Sequence, residues 1–269
     1  MHPSDIVVIR GGGDIATGVA QKIYRSGFKV LLLETEKPTA IRRSVALCEA
    51  IYDGRAAVED LTCLQIASLS DIDRSYKENS VPIIIDPSGE SISRLKPAAV
   101  IDAILAKQNM GTHMGMAPVT IGLGPGFCAG VDTHAVIETM RGHGLGRLIL
   151  SGRAQPDTGV PGEIAGKSEQ RVIYSSSAGE IRHIRNIGDI LDAGETICKI
   201  AGEAVIAPFR GLLRGLLREG LHVSGGMKIA DIDPRLNVDW RTISDKARCI
   251  GGAALEAFLY LSKRSEVQT

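Results

Sequence analysis

Short apolar runs separated by glycine turns dominate the first part of the chain. Ile6–Ile9 and Val30–Leu33 are continuous apolar runs of strand length, and Ala16–Ser26 between them has the spacing of an amphipathic helix. Gly27 is well placed to end that helix. Because fully apolar strands joined by a helix are buried on both faces, the pattern predicts a Rossmann-like parallel sheet at the N-terminus.

The apolar pattern continues in shorter pieces after this opening. A helix is expected at Thr39–Tyr52 and a buried strand at Val81–Ile85, whereas Ala98–Lys107 fits either a strand or a helix. From Gly111 to about Gly166 glycine-rich loops join short apolar runs, and two of these runs look like strands. The two runs are Pro118–Leu123 and Arg147–Leu150.

An internal repeat occupies the next part of the chain. A shift of 32 residues places Gly179 on Gly211, and it aligns further glycines and apolar positions in the same register. Short strands with glycine turns in register predict two interlocking β-units related by a pseudo-twofold axis. Beyond the repeat, Ile243–Lys263 has the apolar stripe of a core helix, and Thr242 with Asp245 resembles a capping box.

These patterns divide the chain into four segments. We expect a Rossmann-like nucleotide-binding domain at 1–110 and a glycine-rich connecting region that completes the core and holds the candidate site at 111–166. A β-rich module is expected at 167–235, and a C-terminal helix that packs back on the core at 236–269.

Composition excludes several classes of function. Acidic and basic residues balance at 31 each among 269 residues, so no net field draws the chain to nucleic acid or a membrane surface. The apolar runs are far too short to span a membrane, and Met1–Asp5 leaves no room for a signal peptide. Five scattered cysteines fit a reducing compartment. The predicted protein is soluble and cytoplasmic, with homo-oligomerisation left open.

The first glycine turn carries the clearest chemistry. Residues 11–16 fit the pattern G-x-G-x-x-A after a predicted strand and before a predicted helix, and Glu34 ends the second strand. Here the glycines allow a tight turn and close approach of a pyrophosphate, and Glu34 can accept a hydrogen bond from a ribose hydroxyl. The predicted cofactor-binding residues are Gly11, Gly12, Gly13, Asp14, Ile15, Ala16, Glu34, Gly124 and Gly126.

One residue of the turn argues against a routine site. Asp14 lies where an anionic ligand would bind and can itself cap the helix, although Arg10 could offset its charge. The alternative is that the turn merely connects strand to helix.

A second glycine segment, Gly122–Phe127, could form another backbone cradle for an anion. It leads into a group of polar residues in which His134 and Glu138 are four apart, and such a pair suits acid–base chemistry or metal ligation. Further ligands are lacking in the sequence, so no metal site is predicted. The alternative is hydrogen-bonded structural residues. The catalytic candidates are Asp132, His134, Glu138, Arg141 and His143.

The repeat resembles the barrel-sandwich fold of biotinyl and lipoyl domains. Gly188–Gly194 and Ala207–Gly211 match the turns of that fold. Carrier domains place a modified lysine in a hairpin between such turns, where Lys199 lies one residue out of step and without flanking methionines. The resemblance implies a structural module, with a carrier role for Lys199 as the less favoured alternative.

Recognisable motifs occur nearly from one end of the chain to the other. They are Gly11–Gly18, Ile41–Val45, Asp86–Pro87, Gly122–Gly130, Asp132–Gly146, Thr158–Gly162, Gly215–Leu217, Asp231–Arg235 and Ile243–Arg248. Their order resembles the YqeB family, accessory proteins of selenium-dependent molybdenum hydroxylases, and Cys128 is a minor departure from the family pattern.

The resemblance implies a role in maturing a molybdenum hydroxylase, with that enzyme or its maturation proteins as partners. It implies no reaction and no catalytic residues. The expected ligand is a dinucleotide, either NAD or a dinucleotide form of the molybdenum cofactor. An NAD-dependent oxidoreductase that acts on a small molecule is the alternative, and whether the chain catalyses any reaction stays open.

Overall fold

The computed structural model of the chain describes residues 6–267, with side chains described to residue 263. It divides into two compact units. The first comprises residues 6–38, Ala46–Asp157 and 243–267, and the second comprises Thr39–Val45 and Thr158–Thr242. The signal-peptide prediction concerns Met1–Asp5, which lie outside the described residues. Within residues 6–267, the helices are too short or too polar to cross a membrane.

The first unit is built on a nine-stranded mixed sheet and a small two-stranded one. Its strands are β1 Ile6–Arg10, β2 Lys29–Glu34, β3 Arg55–Val58, β4 Leu61–Gln65, β5 Val81–Ile85, β6 Ala99–Asp102, β7 Val119–Leu123, β8 Cys128–Ala129, β9 Ala135–Ile137, β10 Leu148–Ile149 and β11 Gly152–Arg153. The order in the large sheet is β10-β9-β7-β6-β1-β2-β5-β4-β3, and β8 pairs with β11. The edge strands β3 and β10 run antiparallel to their neighbours.

Five α-helices accompany this sheet. They are α1 Asp14–Arg25, α2 Ala50–Asp53, α3 Ile72–Lys77, α4 Glu90–Leu95 and α5 Asp245–Val267. Helix α1 buries the apolar side chains of Ile15, Val19 and Ile23. Gly27 follows it with φ +88°, a left-handed conformation that suits glycine at a helix end, as the sequence predicted.

Helices α1 and α5 pack at very short range through glycine. A Cβ atom on Gly18 would lie 2.6 Å from the carbonyl oxygen of Ala247, and one on Gly251 would lie 2.4 Å from that of Gly18. The predicted apolar stripe of α5 is buried in this contact and against the sheet. The cap differs from the prediction, because the amide of Ala247 donates to Ser244 Oγ whereas Thr242 Oγ1 donates to the carbonyl of Asp239.

The second unit consists of two four-stranded antiparallel sheets. Its strands are β12 Val172–Tyr174, β13 Gly179–His183, β14 Ile190–Leu191, β15 Thr196–Ile200, β16 Glu203–Ile206, β17 Gly211–Leu216, β18 His222–Val223 and β19 Lys228–Asp233. The sheet orders are β12-β19-β17-β14 and β16-β15-β13-β18.

The predicted repeat is confirmed in this unit. Strands β13, β14 and β15 begin at residues 179, 190 and 196, and β17, β18 and β19 begin 32 residues later in each case. The short strand of each half pairs with the first long strand of the other half, β14 with β17 and β18 with β13. This exchange interlocks the two halves.

The second unit contains a network of buried ion pairs between arginine and aspartate side chains. Asp231 accepts hydrogen bonds from Arg171 and Arg214, and Asp233 accepts from Arg214 and from the more exposed Arg235. Each buried carboxylate is therefore paired, which offsets the large cost of removing its charge from water.

The expected fold class is wrong. A Rossmann fold requires helical crossovers through both halves of a parallel sheet. Here the connection from β6 to β7 consists of loops and a 3₁₀ turn at Met114–Met116, and the connection from β7 to β9 consists of loops and β8. Antiparallel strands form both edges of the sheet. Nor does the structure show a biotinyl-type barrel-sandwich, since residues 172–233 form two large antiparallel sheets. The chain is a mixed α/β protein.

The helix expected at Thr39–Tyr52 is also wrong over most of its length. Residues 39–45 belong to the second unit, where the amide of Leu216 donates to the carbonyl of Ile41 and Arg43 Nε donates to the carbonyl of Leu216. These contacts along β17 replace the bonds a helix would make. A 3₁₀ turn forms at Arg43–Val45, within this segment, and a second 3₁₀ turn at Leu47–Glu49 and the short α2 follow it.

Candidate functional site

The candidate site lies in the first unit, at the carboxyl ends of β1, β2 and β6. Strand β1 has β2 on one side and β6 on the other, so the chain reverses its direction of strand addition at this point. In open α/β sheets, ligands bind outside the carboxyl ends of the strands where the strand order reverses.

The turn at residues 11–13 has the conformation that its three glycines suggest. Gly11 has φ +98°, and a Cβ atom there would lie 3.0 Å from the carbonyl oxygen of Ala103. Gly13 precedes α1 with an ordinary extended backbone, and a Cβ atom on it would meet no described atom within 4 Å. The space beside Gly13, at the positive end of α1, is therefore open to a ligand.

Glu34 is bound to the same turn. Its Oε2 accepts a hydrogen bond from the amide of Gly12 at 2.8 Å, and its Oε1 accepts one from the amide of Thr35 at 2.8 Å. Burial raises the pKa of the Glu34 carboxyl, and the two backbone hydrogen bonds oppose that shift. The carboxylate thus lies beside the predicted phosphate position and already has partners in the protein.

One wall of the site is the segment Ala46–Glu49. The amide of Cys48 donates to the carbonyl of Gly12 at 2.8 Å, and Cys48 Cβ would lie 3.0 Å from a Cβ on Gly12. Thr17 Oγ1 in α1 accepts a hydrogen bond from the amide of Leu47 at 3.0 Å. Burial raises the pKa of the Cys48 thiol, and nearby carboxylates raise it further, so this thiol stays protonated.

Arg10 does not offset the charge of Asp14 as the sequence suggested. Its side chain is buried and donates to Asp102 Oδ2 at 3.4 Å, to Thr112 Oγ1 at 2.5 Å and to two backbone carbonyls. Asp14 is the first residue of α1, whose N-cap is Gly13. Its negative charge at the helix N-terminus is favourable to the helix and competes with an anionic ligand there.

The second glycine segment is packed rather than open. A Cβ atom on Gly124 would lie 2.4 Å from Thr139 Oγ1, and one on Gly126 would lie 2.8 Å from the backbone of Gln108. Both glycines have positive φ. They serve close packing of the loop after β7 against its neighbours.

Three of the catalytic candidates accept hydrogen bonds from backbone amides. Asp132 Oδ2 accepts from the amide of Cys128 at 2.7 Å, and His134 Nδ1 lies 3.0 Å from the amide nitrogen of Thr120. Glu138 is buried and bridges two loops, because its oxygens accept from the amides of Met140 and Gln155. Burial lowers the pKa of His134.

The other two candidates lie at the surface. Arg141 makes a bidentate ion pair with Asp245, both N–O distances being 2.8 Å. His143 is exposed.

His134 and Glu138, the pair suited by its spacing to acid–base chemistry, bind different backbone amides and so have separate partners. Among residues 6–267, no three His, Cys, Asp or Glu side chains are grouped in a way that could hold a metal ion.

Lys199 lies within β15, where it pairs with Arg182 and with Ala204. The following turn is at Ala201 and Gly202, which both have positive φ. The lysine is exposed, and it stands on a paired strand two residues before the tip of the hairpin.

The sequence pattern did not indicate Asp102 as a residue of this site. It also did not indicate that Arg10 is buried and paired with Asp102. The available signal was their position. Each is the charged last residue of a strand that is otherwise apolar, and a buried charge at such a point must find a partner or a ligand.

Comparison with known proteins gives one close match. The chain is 51% identical over 263 residues to Uncharacterized protein YqeB of Escherichia coli (strain K12). The match covers 97% of this chain and 49% of that protein, so the chain spans about half the length of its curated relative. No protein-family model matches the chain.

Solved structures resemble the chain only weakly. A succinylglutamate desuccinylase from Silicibacter sp. TM1040 has a TM-score of 0.26 at 10% identity, over 85% of this chain and 84% of that one. An aspartoacylase family protein from Mesorhizobium loti has a TM-score of 0.26 at 11% identity, with the same coverage. Scores this low do not establish a shared fold.

Proposed function

This chain belongs to the YqeB family, and on that premise we propose that it binds a nucleotide or dinucleotide-type cofactor as a cytoplasmic accessory protein of a selenium-dependent molybdenum hydroxylase. The binding site of this proposal is the turn at residues 11–13 together with Glu34. Its ligand is NAD or a dinucleotide form of the molybdenum cofactor. The hydroxylase or its maturation proteins are the partners.

The observation that carries the proposal is the open space beside Gly13. A bound phosphate needs free backbone donors and room to approach them, and α1 is a 12-residue helix whose N-terminus supplies both the donors and positive potential. Gly11 and Gly12 are closely packed, whereas Gly13 faces empty space. The glycine that the phosphate must approach is the one left uncovered.

The position of Glu34 supports a nucleotide over a simple phosphate. Its carboxylate is within hydrogen-bond distance of the turn, where a ribose attached to the phosphate would lie. A negative charge there favours a free 2′-hydroxyl and repels a 2′-phosphate. The proposal therefore favours NAD-like over NADP-like ligands.

The accessory role comes from the family resemblance, and one feature of the chain supports it over hydride-transfer catalysis. His134 and Glu138 hold different backbone amides and do not act on a common point. A protein that holds a cofactor for delivery needs the binding turn without such an acid–base pair. Turnover of a small molecule with NAD would instead indicate the oxidoreductase alternative.

The test uses Gly13→Leu. Gly13 has an ordinary φ of −67° and open space, so leucine fits the free protein and blocks the phosphate position. Gly252→Leu is the matched control, because Gly252 in α5 also has open space beside it. Native mass spectrometry of protein purified anaerobically from its own host would measure bound ligand and partners, and calorimetry would measure NAD⁺ affinity.

We expect wild type and Gly252→Leu to hold the same small molecule and Gly13→Leu to lose it, with affinity reduced at least tenfold. Ligand retained by Gly13→Leu would show that the turn is structural. Wild-type protein that never carries a nucleotide and never associates with the hydroxylase would overturn the proposed function.

A further inference from the structure

A surface pocket of about 330 Å³ lies in the second unit, beside the outer strand β14. Ile190 of β14 and Leu212 of β17, which are directly paired, line one side of it. Residues 236–241, here called the β19–α5 segment, line the other side. A pocket of this volume is at the lower end of the range for small-molecule sites, so its ligand would be small.

The indole ring of Trp240 holds Arg241 in this pocket. A Cβ atom on Gly188 would lie 2.6 Å from the ring, so the indole packs directly on the backbone of the turn before β14. The guanidinium carbon of Arg241 lies 4.0 Å from the ring centroid. A guanidinium stacked on an aromatic face keeps the N–H groups at its planar edge available for a carboxylate.

Two opposite charges line the pocket without an ion pair. In the part of the chain that the structure describes, Arg241 and Asp239 pair neither with each other nor with another charged side chain. Asp239 Oδ1 accepts a hydrogen bond from the backbone amide of Arg241 at 3.0 Å, which fixes the carboxylate in a tight turn. By contrast, the exposed Arg210 of the same unit is paired with Asp192. The pocket thus offers one cation and one anion to a ligand.

The rest of the lining is largely apolar. Ile190 is 49% exposed and Leu236 is 38% exposed, and Leu212 beside them is buried. Apolar side chains of this size gain free energy when a ligand covers them. A ligand that satisfies the whole pocket therefore has a carboxylate, a cationic group and an apolar group within a small molecule.

We propose that this pocket binds a free α-amino acid with an apolar side chain. The ligand's carboxylate pairs with Arg241, its ammonium group pairs with Asp239, and its side chain packs on Ile190 and Leu236. A simple carboxylic acid leaves Asp239 without a partner, and a simple amine leaves Arg241 without one. The site belongs to the second unit, and it does not depend on nucleotide binding at the glycine turn of the first unit.

Four probes separate these contributions in the wild-type protein. L-Leucine carries all three groups, 4-methylpentanoate lacks the amine, 3-methylbutylamine lacks the carboxylate, and free glycine lacks the apolar side chain. Trp240 is the only tryptophan of the chain, so titration of its emission reports on this pocket directly. Calorimetry gives the same affinities without relying on the fluorophore.

Three variants assign the charges. Arg241→Gln and Asp239→Asn each remove one charge, and asparagine keeps an oxygen that can accept the hydrogen bond from the amide of residue 241. Arg182→Gln removes an exposed charge from β13 of the same unit and is the matched control. Circular dichroism checks that each variant is folded, and the comparison of probes on wild type needs no variant.

We expect wild type and Arg182→Gln to bind L-leucine about tenfold or more tightly than each of the other probes, because each of these lacks one contact. Arg241→Gln should lose the preference for leucine over 3-methylbutylamine, and Asp239→Asn the preference over 4-methylpentanoate. Equal affinity of wild type for the three apolar probes would overturn the proposal, because the pocket would then take any apolar group. Failure of wild type to bind leucine would overturn it as well.

Hydrogen exchange locates the bound amino acid. Leucine should slow exchange at residues 188–191 and 236–242. Protection only at other segments, such as the turn at residues 11–13, would place the ligand elsewhere and overturn this assignment. Neither result bears on nucleotide binding at the glycine turn, which is tested separately with Gly13→Leu.

Discussion

The backbone amide of Gly12 and the carboxylate of Glu34 are joined by a hydrogen bond of 2.8 Å. Gly12 lies two residues after the end of β1, and Glu34 is the last residue of the neighbouring parallel strand β2, so the bond ties the glycine turn to the end of β2. Burial raises the pKa of Glu34 and the bond opposes that shift. Glu34 thus has a structural role in the free protein beside the role in nucleotide selection proposed for it.

The first prediction concerns Glu34 and pH. Because its folded-state pKa is raised, Glu34 stabilises the fold most below the ordinary glutamate pKa of about 4.3, and this contribution is lost as pH rises through the higher folded-state pKa. Glutamine cannot ionise. The free energy of unfolding of wild type relative to Glu34→Gln should therefore decrease as pH rises from about 4 to 7.

Urea unfolding at several pH values measures this difference. Glu36→Gln changes the same chemical group at an exposed position two residues later and serves as the control. A wild-type advantage over Glu34→Gln that grows with pH would contradict the prediction.

A second prediction concerns Asp60 in acid. Arg25 donates two hydrogen bonds of 2.7 Å to Asp60, and this pairing lowers the pKa of Asp60 to about 2. A lowered pKa adds stability above the ordinary aspartate value, and this is lost as pH falls towards 2. Asp60→Asn should reduce stability at pH 6 by about 0.2–1 kcal/mol, as for exposed pairs, and by less at pH 2.5. Urea unfolding at the two pH values measures this, and an equal loss at both would contradict it.

The third prediction compares neighbouring glycines in α5. Gly251→Ala places a Cβ atom 2.4 Å from the carbonyl oxygen of Gly18, so α1 and α5 must separate. We expect a loss of about 1–3 kcal/mol, typical of overpacking. Gly252→Ala meets open space and should stabilise the helix by about 0.5–1 kcal/mol. Thermal unfolding of the two variants gives the comparison, and equal effects would show that the helices do not pack this closely.

The fourth prediction uses Trp240, the only tryptophan of the chain. A Cβ atom on Gly188 would lie 2.6 Å from the Trp240 ring, whereas one on Gly194 meets open space, and both glycines have positive φ. Alanine at either position adds backbone strain, and only Gly188→Ala adds a clash. Its stability should fall further, and its tryptophan emission should shift to longer wavelength. Unchanged emission in Gly188→Ala would mean that the ring lies elsewhere.

The spacing of residues along the chain predicted the elements whose formation depends on local interactions. The strand Ile6–Ile9, the helix that ends before Gly27 and the 32-residue repeat all follow from residue spacing, and the structure has each of them. The helix predicted at Thr39–Tyr52 failed because residues 39–45 bond to β17, more than 170 residues later in the chain. Spacing along a segment contains no information about such a distant partner.

Within the candidate site, too, the sequence indicated the residues of a local motif and not the contacts between distant residues. The structure brings Gly12 and Glu34 together, as the motif of one strand–turn–helix–strand unit predicts. The contacts of Arg10 with Asp102 and Thr112 link residues about 90 to 100 positions apart, and they were missed. His134 and Glu138 were expected to act together, and their separate partners come from loops that only the fold brings near.

By itself, the sequence determined the strand–turn–helix opening, the internal repeat and the family to which the chain belongs. These depend on periodicity, on the backbone freedom of glycine and on the order of motifs along the chain. Only the tertiary structure decided that the large sheet is mixed, that Gly13 alone among the three turn glycines is open, and that Arg10 is held by Asp102 and Thr112. Strand order and side-chain partners depend on contacts between distant residues, which compete for the same backbone donors and the same buried space.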